Sequence, residues 1–337
     1  VIAGAATVAR RLLVAVPTLV VVSLVLFVAL RIIPADPLAM SLPPGASEAD
    51  FRAMRAELGF DRPIPEQYAI WLGHLVRGDF GISIHFHQPV TALVLGALPT
   101  TLELLALGLP LGVLLGLGGG LLMYGARRSA AGAATDLGSI VLMSVPEFLW
   151  ALVLLLTFGV AVRALPFIGR IDPQLAVPPV TGFMTIDTLL AHRPDAFINA
   201  LSHLALPACA LALALAPLIM RTLRSSLLAT AQEDYVMLAR LRGLGETRIL
   251  LRHAFQNAVL PTVSLIGVQA GFMFGGTLLV EVIYTLPGIG NLLVEAIGAH
   301  DLPLIEGLAF VYCLVVLGIT LAVDIVSVAL DPRLRAA

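Results

Sequence analysis

Four carboxylates, Glu103, Glu147, Glu281 and Asp324, fall in or at the edge of long apolar runs. An ionisable side chain at membrane depth is costly, and by default it marks a solute pathway, a proton relay or a buried ion pair. Glu103 lies two residues past the Thr100-Thr101 pair near one end of its run, where capping or snorkelling to the interface is the competing account. Glu147 follows Pro146, and proline-broken helices line cavities. The "HFH" pair, His85 and His87, has no third ligand nearby, so solvated imidazoles rather than a metal site are expected. Cys209 and Cys313 sit in apolar runs without a CxxC and read as membrane-buried thiols. All 20 basic residues are Arg. A chain without Lys has no GxxxxGK[ST] phosphate loop and no lysine Schiff base, which excludes two enzyme classes. No Ser/His/Asp arrangement, HExxH or basic aromatic surface stands out, so neither hydrolytic chemistry nor nucleic-acid binding is expected.

The elements that must position these residues are membrane helices. Hydrophobic residues make up 59% of the 337 and charged ones 12%, against roughly 25% charged in a soluble domain. The expectation is an all-α integral membrane protein. Runs long enough to cross a bilayer, about 20 residues each, lie at 10–30, 100–124, 136–162, 202–221, 259–284 and 304–328, giving six transmembrane helices. The glycines of "LGVLLGLGGG" (111–120) read as small residues that let helices approach closely. Residues 1–30 form the N-terminal region and first helix, and 100–337 a core of the other five. Between them, 31–99 is too polar and proline-rich to span and reads as a small helical extracytoplasmic insertion, with a helix starting at Ser47 in "ASEADFRAMRAELGF". Residues 163–201 read as mostly loop, and 285–303 as an outer loop carrying a short helix. Twelve Arg, from Arg10, Arg11, Arg127 and Arg128 to Arg333 and Arg335, fall on one side and eight on the other, in longer and more acidic segments. The positive-inside rule then places both termini and the loop 222–258 in the cytoplasm.

That loop holds the densest charge of the chain, "EDYVMLARLRGLGETRILLRHAFQNAVLP" (233–261). At 100° per residue, Leu250, Leu251, Ala254, Phe255 and Ala258 share one face, and Arg248, Arg252, His253, Gln256 and Asn257 the other. Only Ile249 breaks the pattern. This amphipathic helix runs to Pro261, where the next span is expected to begin. A shorter helix, Glu233 to Arg242, precedes it with acids first and Arg last, as the helix dipole favours. Gly243 and Gly245 separate the two. Such an elbow fits three roles: lying on anionic lipid, a solvated loop, or a docking surface, with Gly243 needed where the chain reverses and a side chain would clash.

The run "DYVMLARLRGLGETRILLRHAFQNAVLP" resembles the EAA-type cytoplasmic loop of ABC importer permeases, in particular the dipeptide/oligopeptide/nickel branch. The resemblance extends through "RIIPADPL", "LGFDRPIPEQYAIWL", "GDFGIS", "LPTTLEL", "SVPEF", "LPFIG", "VTGF", "HLALP", "VEVIYTLPGIG", "HDLPLIEG" and "LDPRLR", in order along almost the whole chain. Two departures stand out. The positions of the loop's Glu-Ala-Ala read Met237, Leu238 and Ala239, so the Glu is missing, and Arg242 stands where the branch commonly has Lys.

The resemblance implies a type I importer permease in a bacterial inner membrane. It takes up di- or oligopeptides delivered by an extracytoplasmic binding protein; a nickel or other small-solute importer is the alternative, and an ion-coupled carrier a more distant one. It implies a homologous second permease subunit and two ATPase subunits, which hold the ATP and Mg. The chain itself is then non-catalytic and binds no cofactor. Leu238, Ala239, Arg240, Arg242, Gly243 and Leu244 are the expected ATPase-coupling residues. Glu103, Glu147, Glu281 and Asp324 are the pathway candidates, one of them expected to pair with a peptide amine in transit.

Overall fold

A computed structural model describes residues 2–32 and 61–330, apart from the side chains at 2–12, 14–15, 324 and 326–330. The helix expected from Ser47 and the terminal "LDPRLR" lie outside the described residues, wholly or in large part. Among the described residues the chain is helical, with one isolated bridge between Ile82 and Pro89. The long elements are α1 (Ile2–Ile32), α2 (Ile64–Val76), α3 (Val90–Gly125), α4 (Ala130–Ser144), α5 (Glu147–Leu154, continued by a π-helical turn Leu155–Ala161) and α6 (Met184–Leu190). They are followed by α7 (Pro194–Thr230), α8 (Asp234–Leu241), α9 (Glu246–Ile249), a second π turn (Leu250–Ala254), α10 (Phe255–Ile283), α11 (Ile289–Gly298) and α12 (Leu302–Leu330).

Four described helical units, Val90–Gly125, Pro194–Thr230, Glu246–Ile283 and Leu302–Val323, are long and apolar enough to cross a membrane. The pair α4 and α5, bent by 99°, makes a fifth, and α1, with its apolar stretch Val16–Ile32, corresponds to the first expected span, 10–30. The bend falls at Pro146, which lacks an N–H and holds Val145 extended (φ -102, ψ 118). The run 136–162 is therefore two half-helices rather than one rod.

Three boundaries differ from the hydropathy reading. Helix α3 begins at Val90, ten residues early, because "VTALVLGALP" (90–99) is already helical and Pro99 is accommodated within the helix rather than starting it. Helix α7 outruns 202–221 at both ends, since hydropathy registers only the lipid-depth part of a helix. The third concerns the expected break at Pro261, for the chain stays helical from Glu246 to Ile283. One missing hydrogen bond does not end a membrane helix whose neighbours pack around it.

At the centre, α3 lies along α7 in the most extensive contact of the fold. Gly108, Gly112, Gly116 and Gly120 recur every four residues and face Leu211, Leu215, Ile219 and Leu223. A Cβ at Gly116 would stand 2.5 Å from the Cβ of Ile219, and one at Gly112 2.9 Å from Leu215 Cδ2. Close packing rather than hydrophobic transfer drives helix association in lipid, so these hydrogens for side chains set the distance between the two rods. Helix α10 packs beside them and meets α12 through Gly267, Gly271 and Gly275, opposite Val323, Val316 and Tyr312. Helix α1 rests on α12, joined by an ion pair of Arg31 and Glu306, with Arg31 Nε also donating to Gln67 Oε1 (2.9 Å).

Gly116→Val should destabilise the protein by about 1–3 kcal/mol through overpacking, whereas Gly118→Val, where nothing lies within 4 Å, carries the same propensity cost without the clash. Thermal unfolding followed by size-exclusion chromatography should show early loss of the monodisperse peak for position 116 only.

Candidate functional site

The elbow begins with α8. Its end is a Schellman motif: Gly243 N–H donates to Arg240 O (2.9 Å) and Leu244 N–H to Ala239 O (3.3 Å). Gly243 takes φ +76, and nothing lies within 4 Å of where its Cβ would be. The expected clash is therefore absent; Gly is required by the left-handed backbone itself. Leu244 closes the motif by packing on Val236, Ala239 and Ile249.

Ile249, the residue that misfits the helical wheel, is buried in that same cluster and ties α9 to α8. The π turn over Leu250–Ala254 adds a residue to the winding and shifts the phase. Leu250, Ala254, Phe255 and Ala258 then face Tyr124, Leu223 and Leu227 at the ends of α3 and α7. The elbow thus has one apolar contact inside itself and another on the central helix pair.

Arg240 bridges the elbow. Its Nε donates to Glu246 Oε1 (2.8 Å) and its Nη1 to Ala231 O (3.2 Å), and the Glu246 carboxylate raises the pKa of the guanidinium. Asn257 Nδ2 donates to Tyr235 Oη (2.8 Å), a further strut. Ala239 is buried, so it and Arg240 hold the elbow's shape. The outward surface consists of Leu238, 54% exposed, with Met237, Leu241 at 78%, and Arg242. Leu241 was not among the expected coupling residues, although its i+3 spacing from Leu238 and i+4 from Met237 marks one helix face.

The intramembrane acids separate by environment. Glu103, nearly buried, accepts from Arg170 Nη2 (2.9 Å), Thr185 N (2.6 Å) and Thr185 Oγ1. It clasps the 163–193 loop to α3. Asp187 holds the same loop through Thr181 N and Oγ1 (2.7 Å each) and Gly182 N (3.0 Å). Burial pushes the Asp187 carboxyl up, but these donors outweigh it and leave its pKa lowered. Glu281, fully buried, accepts from Gly290 N (2.7 Å) and Asn291 N (3.2 Å) at the start of α11, while Thr101 Oγ1 takes the amide of Ile289 (2.9 Å). Cβ atoms at Gly288 or Gly290 would overlap the Glu281 carboxylate. Glu147 stands at the first position of α5 against Gly276 of α10, half-buried. The Asp324 side chain lies outside the described residues. The structure does not bring the acids into one cluster, and among the described residues no group of His, Cys, Asp or Glu is arranged to hold a metal ion.

The chain matches the family described as "Binding-protein-dependent transport system inner membrane component" over residues 108–336, and its N-terminal counterpart over 6–105. The chain belongs to this family of permeases. It is therefore a multi-pass inner-membrane component of a binding-protein-dependent ABC importer, a non-catalytic subunit beside a separate ATPase. Full-length relatives include the "Di/tripeptide transport system permease protein DppB" of Pseudomonas aeruginosa, 36% identical over 97% of this chain and 98% of that one. The "Dipeptide transport system permease protein DppB" of Escherichia coli K12 is 33% identical over 97% of each. A solved structure of the MetNI methionine ABC transporter in an inward-facing conformation shares the fold, with a TM-score of 0.55 and 15% identity over 71% of this chain and 96% of that one.

For this permease, sequence reasoning passed over two structural acids. Glu306 lies inside the last apolar run, paired with Arg31, and Asp301 caps α12 at Leu304 N (3.2 Å) while its other oxygen holds Ser83 and the His85 amide. The "HDLPLIEG" motif contains both, and its Asp-x-x-x-x-Glu spacing at a helix start was the available signal.

Gly243→Ala should cost about 1 kcal/mol at the strained φ and speed amide exchange across 236–241 several-fold. Gly245→Ala should leave exchange unchanged, because Gly245 sits at φ -65 with open space around it. Equal protection in both variants would contradict the backbone account.

Proposed function

We propose that this permease forms the pathway of an ATP-driven importer for di- or oligopeptides. The peptide class is supported by the full-length likeness to permeases named for dipeptide and di/tripeptide transport. A homologous second permease completes the pathway, two ATPase subunits hold ATP and Mg, and an extracytoplasmic binding protein delivers the peptide. Both termini and the elbow face the cytoplasm, as the Arg distribution favours.

The coupling surface is the outward side of α8, where Met237, Leu238 and Leu241 present an apolar patch beside Arg242. Apolar anchors ringed by charge make good docking surfaces. Gly243, Leu244, Ala239 and Arg240 act behind that patch, fixing the angle between α8 and α9. Since α9 is tied to α8 through Ile249, and the π turn and the start of α10 that follow it pack on Tyr124, Leu223 and Leu227, a movement imposed on α8 is passed to the α3–α7 pair. Nucleotide-driven approach of the ATPases then rocks the helices between inward- and outward-facing states, a rigid-body switch.

The assay is uptake of radiolabelled dialanine into proteoliposomes holding the complete complex with its binding protein. Wild type should accumulate peptide with ATP and not with ADP, and Leu241→Asp should lower uptake about tenfold by weakening docking. Absence of uptake in an assembled wild-type complex would refute the peptide reading, and full coupling in Leu241→Asp would misplace the motor interface.

A further inference from the structure

Most carboxylates on the described spanning helices are already engaged. Glu103 pairs with Arg170, Asp136 with Arg224, Asp195 with Arg193, Glu246 with Arg240 and Glu306 with Arg31, while Glu281 caps α11. Glu147 has neither an ion pair nor a hydrogen bond to its carboxylate among the described residues. It projects from the break between the half-helices α4 and α5 and lies over Gly276, whose Cβ would stand 2.8 Å from its Oε1.

The face on which it rests is open. Val268, Phe272 and Leu279 are all exposed on α10, and with Gly276 they follow the i, i+4, i+8, i+11 spacing of one helix face. Gly276 lies seven residues before the end of α10, about 10 Å along the axis, so the carboxylate sits below the helix end rather than at it. Lipid is an unfavourable neighbour for an unpaired carboxylate at such depth. The carboxylate there calls for water, a cation or a donor from a partner rather than lipid.

We propose that Glu147 is a specificity-determining residue of the pathway, receiving the free ammonium group of a peptide as it passes the α5–α10 strip. This rests on the peptide reading above. The half-helix break supplies the geometry, since irregular backbone at membrane depth occurs where a cavity is lined. Gly276 provides the space in which the carboxylate lies without being shielded by a side chain opposite.

The test uses the complete transporter with its binding protein in proteoliposomes, dialanine as the probe, and a background lacking Cys209 and Cys313. Glu147→Gln should reduce maximal uptake about tenfold, with the second permease still co-purifying and ATP hydrolysis still stimulated by loaded binding protein. Glu147→Asp should recover most of the rate. Glu147→Cys should be inactive, regain uptake after modification with a negatively charged sulfonatoethyl methanethiosulfonate, and stay inactive with the trimethylammonium reagent. Wild-type rates in Glu147→Gln would overturn the proposal. Loss of the second permease from the Glu147→Gln complex would also overturn it, making Glu147 half of a subunit-interface ion pair. A wild-type complex that hydrolyses ATP but accumulates no dialanine would instead remove the peptide reading, and the proposal with it.

Discussion

The rest of the fold depends on how closely α3 and α7 approach. In lipid there is no hydrophobic gain from bringing two apolar rods together, so the contact relies on dispersion and fit. Glycines at 108, 112, 116 and 120 permit it, and the side chains of Leu211, Leu215, Ile219 and Leu223 fill the grooves they leave. The elbow and the 163–193 loop are both attached to this pair. At one end Thr101 and Glu103 hold α11 and the 163–193 loop. At the other, Tyr124, Leu223 and Leu227 receive the elbow. On the coupling proposed for α8, a motor there would act through a stiff lever rather than a flexible loop.

Carboxylates at membrane depth among the described residues mostly find a partner, and one without a partner calls for water or a cation. Glu281 and its two facing glycines illustrate the first case. Gly288 and Gly290 leave the volume that its carboxylate occupies, and the first amides of α11 supply the donors. Arg31 and Glu306 do the same between α1 and α12. Glu147 is the contrasting case, and the pathway role proposed for it rests on that contrast more than on its position in the chain.

Much of this was legible in the sequence. Apolar runs located the helical units, Pro146 marked the break, and the Gly243 region marked the elbow. What was missed has physical causes. A proline does not by itself end a helix whose neighbours pack around it, so the turns of α3 before Pro99 were left out of the expected span. A fixed 100° wheel cannot represent a π turn, so Ile249 looked anomalous when it is the anchor between α8 and α9. Spacing along the chain also does not reveal three-dimensional partners: Glu103 and Glu281 resembled Glu147 until Arg170 and the α11 amides were placed beside them.

The most direct test of the account is photo-cross-linking from the elbow, with benzoylphenylalanine in place of Leu241 in the complete complex in native membranes. The account predicts an adduct between this chain and an ATPase subunit, with a yield that changes between ATP-bound and nucleotide-free states. Adducts with lipid alone, in a complex that still transports, would contradict it and leave the elbow a membrane-surface helix.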